Sequence, residues 1–211
     1  MSRRSPASDS TSDRTSDRTG VEPTRQWRTV DIVVTATFGV VFGVVFWAWG
    51  LVWNGTAAVF AFLPPVQGLI YGVWFVPGVL AGIVVRRPGA AFLAAFTAAL
   101  VSALLGSTWG AATLVYGIVQ GALPELVFAL GRYRRFGWVT ACLAAAATAC
   151  GAVVLDLVLY YPSWASGWKA AYLVTVVVSA VVVAGLGSVA LQRMLSRAGA
   201  LDAFPAGRTR T

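Results

Sequence analysis

The feature that most constrains this chain is a series of apolar runs whose connections alternate between arginine-rich and nearly uncharged. Arginines gather before the first run, at Arg86 and Arg87 after the second, and at Arg132, Arg134 and Arg135 after the fourth. They return at Arg193, Arg197, Arg208 and Arg210 after the sixth. The other three connections hold one basic residue, Lys169. A run of about 20 apolar residues crosses a bilayer as a helix, and cytoplasmic loops collect Lys and Arg. The alternation predicts six spans with both termini in the cytoplasm of a cell-membrane protein; a different count would break it. The expected fold class is all-α: a polytopic bundle of six transmembrane helices.

The predicted spans run from about Val30 to Trp49, Val66 to Val85, Ala90 to Leu105, Ala111 to Leu130, Trp138 to Tyr160 and Ala170 to Leu191. The connection from Leu51 to Pro65 is apolar but broken by Asn54, Gly55, Pro64 and Pro65, and no regular helix runs through that proline pair. Residues 1–28, with the tandem TSDRTSDRT, are expected to form a disordered cytoplasmic tail. Residues 29–195 form the membrane domain and 196–211 a second cytoplasmic tail.

Composition narrows the function. Charged residues make up 11% of the chain, against roughly 25% in soluble domains. The net charge of +8 follows from membrane topology, so no nucleic-acid partner is expected. Histidine is absent, which removes the commonest metal ligand and general base. No G-x-x-x-x-G-K-[ST] loop is present for ATP, and no G-x-S-x-G. Cys142 and Cys150 lie eight residues apart in one run, too far along a helix for a disulfide, and read as packing residues. The chain is expected to be no enzyme and to carry no metal or cofactor.

The polar groups inside the spans form the candidate site. Gln67, Tyr71 and Trp74 share one face of an α-helix at i, i+4, i+7. Tyr116 and Gln120 pair at i, i+4 on the fourth span, as do Asp156 and Tyr160 on the fifth. Glu125 is the carboxylate of the fourth span; a charge at that depth faces a cavity or a partner. It reads either as a protonated acid bonded to a neighbouring helix or as an acceptor for a cationic or amine-bearing ligand. Asp156, about one turn from the outer end, reads more simply as a carboxylate at the wet interface. Pro124 deprives the Gln120 carbonyl of its helical donor. Trp47, Trp49, Trp53, Trp109, Trp164 and Trp168 crowd the outer side. They read either as interfacial anchors or as a pocket, with Asn54 at its edge, that stacks a flat ligand. Ala36, Gly39 and Gly43 line one face of the first span; they serve either internal packing or docking of another membrane subunit.

The segments FGVVFWAWGLVW (42–53), YGVWFVPGVLAGIVVRRPGAAF (71–92) and YGIVQGALPELVFALGRYRRF (116–136) together resemble the YkoE family of substrate-capture (S) components of energy-coupling factor (ECF) transporters. The resemblance covers about 29–193. It implies a six-helix S-component bundle that binds thiamine or its hydroxymethylpyrimidine precursor. It also implies partners: a transmembrane coupling subunit and two cytosolic ATPases. In the family, small residues precede the glutamate where this chain has Pro124. Under this resemblance Glu125 or Asp156 accepts from the aminopyrimidine or offsets the ligand's charge, the Leu51–Pro65 connection acts as a lid, and Ala36, Gly39 and Gly43 dock the coupling subunit. A non-transporting membrane scaffold and a stand-alone proton-coupled carrier using Glu125 are the alternatives.

Overall fold

The computed structural model describes residues 27–199 together with 201 and 204; the predicted tails at 1–26 and beyond Gly199 otherwise lie outside the described residues. Six helical rods follow in order: α1 Thr29–Thr56, α2 Pro64–Val85, α3 Ala90–Leu104, α4 Ala112–Leu130, α5 Trp138–Leu159 and α6 Ser166–Arg197. Five are long and apolar enough to cross a membrane, and α3 is a shorter apolar helix of 15 residues. Lipid offers no partner to backbone N–H and C=O groups, so a chain this apolar must satisfy them within helices. The chain is a multi-pass membrane protein. The first helix continues seven residues past the expected stop at Trp49, so the α1–α2 connection is shorter than the Leu51–Pro65 segment suggests.

Small residues set the packing, because apolar side chains gain little by leaving lipid for one another. The α3 stripe Ala91, Ala94, Ala95, Ala98, Ala99 and Ser102 is buried, as is the α5 stripe Ala141, Ala144, Ala145, Thr148, Ala149 and Ala152. The α4 helix lies between α3 and α5, and α1 covers the other side of α3. The central rod is α2: all ten residues from Val76 to Val85 are buried.

Two of the rods are irregular. Pro64–Phe75, the first half of α2, is a 3-10 helix, and α6 relaxes to a π-helical stretch over Ala180–Leu186. A 12-residue 3-10 helix exceeds the usual three or four residues. Its backbone is held from outside by α6. Thr175 Oγ1 donates to the Pro65 carbonyl at 2.6 Å, and Ser179 Oγ donates to the Leu69 carbonyl at 2.6 Å. The Gly72 N–H donates to Ser179 Oγ at 2.9 Å. Gly68 and Gly72 allow this approach, since a Cβ on Gly72 would lie 2.5 Å from the Ser179 carbonyl oxygen.

The arginine-bearing connections gather at one end of the bundle. Arg87 Nε meets Asp31 Oδ2 at 3.1 Å, the Trp27 indole N–H reaches the Pro88 carbonyl at 3.1 Å, and Arg86 lies 5.1 Å above the Phe136 ring. The connections α1–α2, α3–α4 and α5–α6 occupy the other end.

Candidate functional site

At the end away from the arginines, all six helices or their ends border a cavity of about 420 Å³, within the size range of small-molecule sites. Its aromatic wall comes from α1 and the 3-10 half of α2. With about three residues per turn, positions i and i+3 eclipse, so Tyr71 and Trp74 stack along one face. Their ring centroids are 5.1 Å apart; Trp53 on α1 is 5.4 Å from each, and Trp109 is 5.6 Å from Trp74. On the α5–α6 side, Tyr161 and Tyr172 complete the cage with centroids 5.7 Å apart, and Trp164 stacks on Tyr161 at 4.1 Å. Burial, and secondarily the nearby Asp156, raise the Tyr161 phenol above its ordinary pKa, so it stays a neutral donor.

The carboxylate of Asp156 is the polar centre. It is 4% exposed and accepts hydrogen bonds from three phenols carried by three other helices. Tyr116 donates to Oδ1, Tyr71 donates to Oδ1 at 3.4 Å, and Tyr172 donates to Oδ2 at 2.8 Å. Among the described residues no lysine or arginine lies against it. An anion held by hydroxyls, without a protein cation, is suited to a cationic or amine-bearing guest.

Two further polar side chains face the cavity with nothing to bond. Gln120, one turn below Tyr116 on α4, is 5% exposed, and its amide has no partner among the described residues. Ser102, at the end of α3, is 3% exposed and its hydroxyl is likewise unpartnered. The Gln120 amide opens into the cavity, so it is set to meet a ligand that both donates and accepts. The rim is neutral: Ser107 Oγ and Thr113 Oγ1 share a 2.9 Å hydrogen bond, and Asn54 Nδ2 donates to Thr108 Oγ1 at 3.2 Å.

Of the residues expected from sequence, the structure brings Trp53, Asn54, Tyr71, Trp74, Tyr116, Gln120, Asp156 and Tyr160 to this one cavity. Asp156 is buried there rather than exposed at a wet interface. Four expectations are corrected. Trp47 points outward from α1, 37% exposed. Gln67 turns away because 3-10 geometry sets it about 120° from Tyr71 instead of the roughly 40° of an α-helix; its amide donates to the Trp53 carbonyl at 2.8 Å.

Glu125 is at the arginine-bearing end, outside the cavity. Its carboxylate accepts from the N–H groups of Gly89 (2.6 Å), Ala91 (3.1 Å) and Phe92 (3.4 Å), and from the Tyr133 hydroxyl (2.5 Å). It caps α3, whose own N-cap residue is a glycine with no side chain to do so. The Gln120 carbonyl freed by Pro124 is covered by Gly78, whose Cβ would stand 3.1 Å from it.

The small face of α1 is also taken. A Cβ on Gly39 would lie 2.5 Å from Thr97 Cβ, and one on Gly43 would lie 2.5 Å from Val101 Cβ. Gly39 and Gly43 therefore seat α3, with Ala36 half-buried on the same helix, and no free docking face remains at the glycines. Sequence reasoning missed Tyr172, Tyr161, Ser102, Ser107 and Thr113 as cavity residues and Asp31 as the partner of Arg87. For Tyr172 a signal existed: a lone phenol within a run of small and β-branched residues.

Comparison with known proteins agrees with this architecture. A family model described as "ABC-type cobalt transport system, permease component" matches residues 30–151. A Bacillus subtilis (strain 168) protein, provisionally named HMP/thiamine permease protein YkoE, is 32% identical over 185 residues, covering 87% of this chain and 92% of that one. A solved structure described as the crystal structure of an S-component of ECF transporter superposes with a TM-score of 0.83 at 32% identity, over 87% of this chain and 92% of that chain.

Proposed function

The chain belongs to the YkoE-type S components of ECF transporters, and on that premise we propose that it captures thiamine or its hydroxymethylpyrimidine precursor from outside the cell. As an S component it is a transport protein and no enzyme; it binds a small-molecule substrate and works with an ECF module. The observation that carries the substrate reading is Asp156, tied to three tyrosines beneath a tryptophan–tyrosine cage and beside the unpartnered Gln120 amide.

The chemistry matches part by part. Thiamine has two flat rings and a fixed positive charge. Trp53, Tyr71 and Trp74 offer ring faces, each worth ~0.5–2 kcal/mol to a cation. The aminopyrimidine edge presents an amino donor beside a ring-nitrogen acceptor. A glutamine amide pairs with such an edge through two hydrogen bonds, as it does with adenine, for ~1–3 kcal/mol. Asp156 accepts from the amino group or balances the thiazolium charge. The cobalt named in the family description finds less support: the described residues hold no group of three or more His, Cys, Asp or Glu, the ligand set a transition metal needs.

The arginine-bearing end is assigned to the cytoplasm, with both termini there and the cavity facing outward. The coupling subunit and two cytosolic ATPases are the assigned partners, since the chain has no ATP-binding loop of its own. Titration of the purified protein with thiamine and with hydroxymethylpyrimidine, followed by tryptophan fluorescence, tests the substrate. Saturable quenching with sub-micromolar affinity is expected. Folded protein that binds neither compound would remove the reading.

A further inference from the structure

Resting on that reading and deepening it, the geometry points to a cavity that takes the free alcohol of its ligand and rejects the phosphate esters, so that ester hydrolysis must precede capture. The cavity runs from Asp156 on α5 past Tyr116 and Gln120 on α4 to Ala99 and Ser102 on α3, so a ligand whose amine or cationic part meets Asp156 has room to extend to that wall. The wall it reaches carries Ser102, with its free hydroxyl, and the bonded Ser107–Thr113 pair. These groups donate to and accept from an alcohol. They carry no charge.

A phosphate monoester brings about −1.5 to −2 charges. Buried phosphates are met by arginine forks, lysine or the open N–H groups of a helix N-terminus. None of these is on offer here. Among the described residues no lysine or arginine borders the cavity. Lys169, in the α5–α6 connection, lies outside the cavity lining, its ammonium donating to the exposed Pro162 carbonyl at 2.9 Å. The N-terminus of α4 opens beside the rim, but its first N–H groups are occupied: Ala112 bonds Trp109, Thr113 bonds Gly110 and Leu114 bonds Ala111. The ester would therefore lose water without gaining a counter-charge, and it would share the cavity with the Asp156 carboxylate. In a reaction sequence, a phosphoester hydrolysis outside the membrane must supply this substrate wherever the external form is phosphorylated.

The test is calorimetric titration of the intact protein, in detergent, with thiamine, thiamine monophosphate and thiamine diphosphate in parallel. The expected result is that both esters bind about 100-fold more weakly than thiamine. Esters binding within about threefold of thiamine would overturn the exclusion and leave the capture function standing. Failure of all three to bind would overturn both. Thr113→Lys supplies the missing charge at the rim, and its ratio of ester to alcohol affinity should rise about tenfold. A folded Thr113→Lys protein with an unchanged ratio would overturn charge as the basis of the exclusion.

Discussion

Two carboxylates decide most of what single residues can be asked to do, and they work at opposite ends of the molecule. Asp156 meets three phenols in the cavity, so Asp156→Asn keeps the size and most of the hydrogen bonds while removing the charge. Thiamine affinity should fall at least about tenfold, equivalent to ~1.4 kcal/mol, with the thermal unfolding midpoint close to the parent. Undiminished affinity would take Asp156 out of the site. Glu125→Ala should behave in reverse. It removes the charged acceptor shared by the part-buried Gly89 and Ala91 N–H groups, the exposed Phe92 N–H and the Tyr133 hydroxyl, and a hydrogen bond to a charged group contributes about 1.5–3 kcal/mol. The protein should melt earlier while thiamine binding stays within about threefold; a large loss of affinity without a loss of stability would contradict the capping role. Sequence alone shows that each acid lies in an apolar run. It does not show that the donors answering Glu125 are backbone groups 33 to 36 residues away, because main-chain N–H groups have no signature in composition. The burial of Asp156 is not legible either: one turn from the outer end it reads as a wet-interface carboxylate, and the phenols that enclose it, Tyr71, Tyr116 and Tyr172, come from three other helices.

At the scale of elements, the binding face depends on a helix type that sequence does not specify. Apolar length makes the spans legible, and five of the six expected starts fall within two residues of the observed ones. The 3-10 character of Pro64–Phe75 is set by hydroxyls 110 residues away, at Thr175 and Ser179. Those contacts decide that Tyr71 and Trp74 face the cavity and Gln67 does not. Thr175→Val with Ser179→Ala would free the Pro65 and Leu69 carbonyls to accept ordinary α-helical bonds. The segment would rewind toward about 100° per residue, turning Tyr71 and Trp74 relative to one another. Ligand affinity should fall at least about tenfold, and an aromatic circular-dichroism signal from the Trp53–Trp74 contact should change with it. Retention of both would mean that the proline pair alone sets the 3-10 winding. The glycine face of α1 teaches a related lesson. A G-x-x-x-G spacing announces close helix approach, and only coordinates show that the approaching helix is α3 of the same chain.

For the whole molecule, the arrangement separates capture from energy. The cavity opens at one end, the arginine-bearing connections close the other, and the fully buried second half of α2 from Val76 to Val85 stands between them. A ligand bound by Asp156 is separated from the arginine-bearing end by this buried segment. Crossing requires the bundle to reorient or open, and concentrating a solute tenfold requires about 1.4 kcal/mol that ligand binding cannot supply over a closed cycle. The chain has no P-loop through which ATP hydrolysis would supply it. Reconstituted alone in liposomes, the protein should retain thiamine in no more than stoichiometric amount, with no accumulation even under an imposed proton gradient. Reconstituted with a coupling subunit and its two ATPases, uptake beyond that amount should appear only while ATP is hydrolysed. Accumulation by the isolated chain, driven by protons, would place the energy source inside this bundle and end its description as a capture subunit.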